Sequence, residues 1–233
     1  MTDIYLELAG KKAVAWSLEW PGWCRIRSNE VEAIQALIEV EPRYRLIAQR
    51  AGLDFAPDHL TVVARLEGDS GTAWGIPAIQ TPGDNRTLDA ATARRYVALL
   101  RASWDMLEEV VANSPAELRK GPRGGGRDRD EVRRHVIEAE RAYARKIGVR
   151  HKPFEMHDAN AIQAMRAEIA AVLSQPASGE PLTPGGWSAS YAFRRMAWHV
   201  VDHIWEIEDR RDASPPHEQG NPASAPEKTT RKS

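Results

Sequence analysis

The spacing of apolar and polar residues changes character once along the chain, near residue 80. Before that point IYLELAG and KKAVAWSLEW alternate or run apolar, with β-branched and aromatic residues, around the turn formers Gly10, Lys11 and Lys12. This predicts a β-hairpin. The break PGWC, Pro21 to Cys24, is expected to end the second strand. NEVEAIQALIEVEPRYRLIAQRAG then places Val31, Ile34, Leu37 and Ile38 at helical spacing, with Ser28 or Asn29 as cap and Gly52 as stop. Pro42 divides this stretch into two helical pieces. HLTVVARLEG reads as a third strand, and TAWGIPAI as a short strand or a loop.

Residues 80–90, QTPGDNRTLDA, are turn formers and read as a linker. Beyond them the period is 3.6 and four helices are predicted, at about 89–112, 128–148, 158–175 and 189–210. They are separated by GPRGGGRDRD, by the turn around Lys152 and Pro153, and by QPASGEPLTPGG. Four helices of this length on polar connections favour a bundle. The expected class is therefore α+β, with a small α/β domain over 1–80 and an antiparallel four-helix bundle over 85–212. A tail over 213–233 is rich in proline, serine and charge and holds too little apolar surface to offset its ordering entropy, so disorder is expected there.

Composition narrows the function more than the fold. Lys and Arg together number 32 against 33 Asp and Glu, so no overall field draws the chain to nucleic acid or to an anionic membrane. The single cysteine, Cys24, excludes an internal disulfide framework and a cysteine-rich zinc knuckle, which suits a reducing compartment. With no signal-peptide pattern and no apolar run near 18 residues, a soluble, cytoplasmic protein is expected, with neither nucleic acid nor membrane as partner.

Candidate chemistry concentrates in RRMAWHVVDHIWEIEDR, residues 194–210. At 100° per residue Met196, His199, Val200, His203 and Ile207 share one stripe, while Trp198, Val201 and Trp205 lie opposite, so the helix is expected to be covered on two faces. A lone histidine on an apolar face is usually a core residue satisfied by a hydrogen bond. Two histidines four residues apart, however, stand about 5–6 Å apart at Cβ and can share one divalent ion. HxxxH without the glutamate of HExxH is a weak motif by itself. A further ligand has to come from another helix, and His135, at the edge of the stripe formed by Val132, Val136, Ala139, Tyr143 and Ile147, is the best placed of the other five histidines. His151 and His157 read as loop residues; His59 precedes a strand and His217 lies in the tail. The glycine-rich GPRGGGRDRD follows no strand and lacks the Lys-Ser/Thr of a P-loop, so it reads as a basic connector.

The second-helix HVIEAE and fourth-helix WHVVDHIWEIEDR, on a four-helix pattern, resemble the DinB-like bundle proteins. That resemblance implies one divalent metal held by three histidines, here His135, His199 and His203. Imidazole suits Zn, Ni, Fe or Cu alike, so ligand type does not choose among them, and Zn, Ni or Fe is expected. The hairpin, the PGWC turn and the NEVEAIQAL helix resemble, more loosely, a HicB-like domain, without a following ribbon-helix-helix or helix-turn-helix segment.

Two functions follow as expectations. In the first, a three-histidine metal leaves positions open for water or a thiolate, and the DinB-like resemblance implies a metal-dependent thiol transferase, isomerase or hydrolase acting on a small molecule. Glu138, Asp202 and Glu206 are then candidates for orienting imidazoles or moving protons, against their ordinary reading as solvated helix charges. In the second, the chain is a non-catalytic binding or regulatory module whose N-terminal domain recognises a protein partner, with Trp20, Trp23 and Cys24 as contact candidates beside their ordinary reading as core.

Overall fold

The computed structural model describes residues 1–121 and 124–211, and the tail expected over 213–233, with His217, lies outside the described residues. Among the described residues it is an α+β fold of seven helices and a four-stranded mixed sheet. Strands β1 (Thr2–Ala9) and β2 (Lys12–Trp16) form the expected hairpin, with Ala9 opposite Lys12 and Gly10 at φ +56° in the turn, where a left-handed conformation favours glycine. β3 (Cys24–Arg27) adds antiparallel to β2, and β4 (Leu60–Glu67) pairs parallel with β1 from the other side, giving the order β3-β2-β1-β4.

Between β3 and β4 run α1 (Glu30–Glu39), capped by the Asn29 side chain, and α2 (Glu41–Arg50), with Pro42 in its first turn. Proline is tolerated there because the first-turn N–H groups have no intrahelical partner anyway, so the chain breaks at Val40 and restarts. A single turn, α3 (Ser70–Ala73), follows β4. The long helices are α4 (Ala90–Ala112), α5 (Arg129–Arg145), α6 (Ala159–Leu173) and α7 (Ala189–Arg211). α4 packs on α7, α6 and α5, and α5 also touches α7 and α6.

Two features depart from the sequence reading. The PGWC break does more than end a strand, because Cys24 begins β3, a strand of four residues too short to show alternation. TAWGIPAI, read as strand or loop, holds the end of the one-turn helix α3, whose start is fixed by a reciprocal capping box between Asp69 and Thr72.

The stretch read as a linker is a strap pinned at the buried residues Thr81, Asp84 and Leu88. Thr81 and Asp84 cap each other around a 3-10 turn, Pro82–Asn85, and Asp84 is fully buried. Its carboxylate accepts from Arg194 Nε at 2.9 Å and Nη2 at 2.8 Å, the bidentate geometry that makes an Arg–carboxylate pair strong. Arg194 also donates to the carbonyls of Pro77 and Ile79 and lies over the Trp16 ring at 4.0 Å. The turn formers that suggest a linker are here the ones that close a capping box.

The apolar core is continuous from strand to helix. Ile4, Leu6, Ala13 and Ala15 from one sheet face join a cluster that reaches through α1 and α2 to Phe193, Ile204 and Trp205 of α7. The other sheet face, with Val14, Trp16 and Cys24, is met by Trp198 of α7. Gly22, at φ +97°, brings the PGWC turn against α7 so closely that a Cβ there would stand 3.0 Å from Val201 Cγ2 and 3.3 Å from the Ala197 carbonyl. Turn and sheet thus grip the face of α7 centred on Ala197, Trp198 and Val201, leaving its opposite face to present His199 and His203.

Candidate metal centre

α5 and α7 are adjacent, and their facing residues bring together His135, His199 and His203. One nitrogen from each ring lies within 4.8 Å of the others, and the three ring centroids stand 4.6 to 5.0 Å apart. His135 Nε2 and His199 Nε2 are 3.2 Å apart. Two imidazole nitrogens on one tetrahedral zinc, each at about 2.0–2.1 Å, are separated by about 3.3 Å, so this spacing suits a shared ion. The three histidines could therefore hold a metal.

Protonation favours the same use. His199 is 6% exposed, and burial, aided by the neighbouring His203 and His135, holds its pKa well below the usual imidazole value. Burial, then His203, lowers that of His135 as well. Both rings are thus neutral near pH 7, the form in which imidazole ligates. Glu206, one of the acidic candidates, accepts from His203 Nδ1 at 2.7 Å. A carboxylate only accepts, so Nδ1 carries a proton, and in the neutral ring Nε2 is then the nitrogen with a lone pair for a ligand. Burial pushes the Glu206 carboxyl up, but the bonds to His203 and Arg210 outweigh it and leave its pKa lowered.

The other acidic candidates sit differently. Asp202 lies 4.0 Å from Arg25 with its side chain 37% exposed. Glu138 is exposed on α5. The remaining described histidines are not brought in: His59 and His157 are exposed, and His151 stands by Glu168. Of the contact candidates in the N-terminal region, Cys24 and Trp23 are buried, Trp23 donates to the Leu37 carbonyl at 3.0 Å, and half-buried Trp20 packs with Tyr44 and Phe55. Those residues are core, which removes Cys24 and Trp23 from any contact surface.

Two residues given no role at the site by the sequence pattern stand beside the histidines. Tyr143 of α5 meets the His199 ring edge-on at 5.6 Å, and Arg195 of α7 lies over Tyr143 at 5.7 Å and over Trp198 at 4.8 Å. Arg195 stands four residues before His199, and the period that linked the two histidines extends to it. Its basic neighbour Arg194 hides the signal, since adjacent arginines at a helix start read as a solvated pair.

Sizeable cavities lie elsewhere. One of about 710 Å³ is lined by Glu108, Arg129, Arg133 and Met156 among others, one of about 570 Å³ by Arg145, Arg150 and His151 among others, and one of about 390 Å³ by Trp20, Arg86, Arg95 and Tyr96 among others. Cavity size alone therefore does not point to the histidines; donor chemistry and convergence do. No helix among the described residues is long and apolar enough to cross a membrane. No protein-family model matches the chain, and no curated protein or solved structure matches it.

Proposed function

We propose that the protein binds one divalent metal ion through His135, His199 and His203, on a helical region of DinB-like type, and uses it in metal-dependent chemistry on a small molecule. The observation that carries this reading is the convergence of three imidazoles from two helices, with the 3.2 Å Nε2 to Nε2 spacing between His135 and His199. Three imidazoles suit Zn, Ni or Fe, with coordination positions left for water or an anionic ligand such as a thiolate. Bound there, the ion would lower the pKa of such a ligand and make it nucleophilic near neutral pH.

The chain's own residues supply the rest. His203 is held in its ligating tautomer by Glu206, which Arg210 anchors in turn. His199 is kept neutral by burial, and Tyr143 walls one side of its ring. The half-exposed His135 gives the site a face toward solvent. A transferase or hydrolase using an activated thiolate or water fits these parts.

The test is elemental analysis of purified wild type beside His203→Ala, with melting temperature measured with and without added zinc. Wild type is expected to hold close to one equivalent of metal and to melt higher with it, and His203→Ala to lose both. Equal metal content in the two proteins removes the site.

A further inference from the structure

Three arginines are nearly sequestered from solvent, and two have carboxylates. Arg166, 3% exposed, bonds Glu140 and Glu108; Arg194, 2% exposed, bonds Asp84. Arg195, 6% exposed, forms no ion pair among the described residues. Its Nε is buried without an acceptor, and its Nη1 and Nη2 reach only the Pro77 carbonyl at 3.2 Å and the Tyr143 hydroxyl at 3.4 Å. Taking a guanidinium out of water is costly, and two long neutral contacts with two aromatic faces return only part of that cost. Such a cation is better explained by an anion it receives than by the packing it provides.

Its position says which anion. Arg195, His199 and His203 follow one another at intervals of four on α7, and Tyr143 touches both Arg195 and His199. We propose that Arg195 is the anchor for the carboxylate of a small ligand whose other end reaches the three-histidine centre, so that the substrates of this site are small carboxylates. This rests on the metal reading for the second end of the ligand, while the carboxylate anchor stands on Arg195 alone. A carboxylate accepts two parallel N–H bonds from a guanidinium, and the unpartnered Nε–H supplies one of them. The two existing contacts, at 3.2 and 3.4 Å, are at the long end of hydrogen bonding and are the weak ones a carboxylate would replace.

The probes are mercaptoacetate and 2-mercaptoethanol, which share a thiol and differ in the carboxylate. In cobalt-loaded full-length protein, thiolate ligation appears as a near-ultraviolet charge-transfer band. Wild type is expected to bind mercaptoacetate about tenfold or more tightly than 2-mercaptoethanol, the yield of one charge-assisted pair. Arg195→Gln is expected to remove that preference while leaving cobalt content and 2-mercaptoethanol binding as in wild type, and Arg195→Lys to restore part of it. Equal binding of the two thiols by wild type, or a preference that survives in Arg195→Gln, overturns the proposal.

A second arm needs no metal. Mercaptoacetate added to the metal-free protein is expected to change tryptophan emission saturably, because Trp198 stacks on Arg195, and Arg195→Gln is expected to abolish the change. Absence of the change in wild type overturns the anchor. Failure of cobalt to bind, with this response intact, overturns the metal reading and leaves the anchor standing. Should Arg195→Gln fail to fold, Arg195→Lys alone decides: full retention of wild-type preference over a shorter, non-forked cation counts against the anchor.

Discussion

Replacing Asp84 by alanine tests whether residues 80–90 are a strap or a tether. In wild type both carboxylate oxygens bond Arg194, at 2.9 and 2.8 Å, with Asp84 fully buried and Arg194 2% exposed. The carboxylate also accepts from the Thr81 N–H at 2.8 Å, closing the capping box. Truncation leaves the guanidinium buried against two carbonyls and the Trp16 ring, with no opposite charge. Breaking a buried pair from one side costs about 3–5 kcal/mol, and losing a cap adds about 1 kcal/mol. A loss of about 4 kcal/mol is expected, because solvent will relax part of the penalty, and this corresponds to a fall of about 10 °C in Tm at this chain length.

Urea unfolding followed by tryptophan emission measures it, with Arg194→Met and the double variant completing a cycle. Removing both partners leaves an apolar side chain against Trp16 and no stranded charge, so the double variant is expected to be more stable than Asp84→Ala alone. A loss below about 1 kcal/mol for Asp84→Ala, or single losses that simply add, would refute the reasoning and return the segment to a solvated connection.

Three further outcomes are expected. Glu206→Gln keeps the size of the side chain but can present an N–H to His203 Nδ1, so zinc affinity measured by chelator competition should fall about 10–100-fold with little change in fold; an unchanged affinity would show that Glu206 does not set the tautomer. The metal-free protein should lose stability to urea as pH drops below about 6.5, because His199 and His135 have folded pKa values below those of the unfolded chain, which binds protons first. That stability is full above the unfolded pKa and is lost as pH falls toward the folded values, so a flat profile between pH 7.5 and 5 would contradict their burial as neutral rings. Gly22→Ala should cost at least about 2 kcal/mol in the same assay, from a φ of +97° and the 3.0 Å approach to Val201, and a neutral result would mean that the turn is not seated on α7.

The helices were legible because their signals are local. Asn29 caps α1, Pro42 sits in the first turn of α2, and the last four predicted spans match α4 to α7 within a few residues. Local signals also misled. The turn residues of 81–85 look the same whether the turn faces water or closes over a buried aspartate, since the difference is made by Arg194, more than a hundred residues away. β3 was missed because its four residues owe their strand state to the β2 edge beside them, a neighbour that periodicity does not encode.

At the candidate site the same distinction separates what a single helix fixes from what two must share. The period of α7 alone sets His199 and His203 on one stripe, but pairing them with His135 requires that α5 lie against that stripe in one register. Three observations fix that packing: Tyr143, two turns beyond His135, meets His199; Glu140 bonds Arg166 of α6; and Gly22 holds the far face of α7. Each is a contact between residues remote in sequence, and each uses a residue type that composition treats as ordinary. The charge count near zero conceals them too, because buried and solvated arginines weigh equally in it. What distinguishes Arg195 from its neighbour is above all that Asp84 reaches Arg194 and no described carboxylate reaches Arg195. An ion-pair partner is a property of the folded chain, so the residue that best specifies a ligand here is one that a reading of residue types would place on the surface.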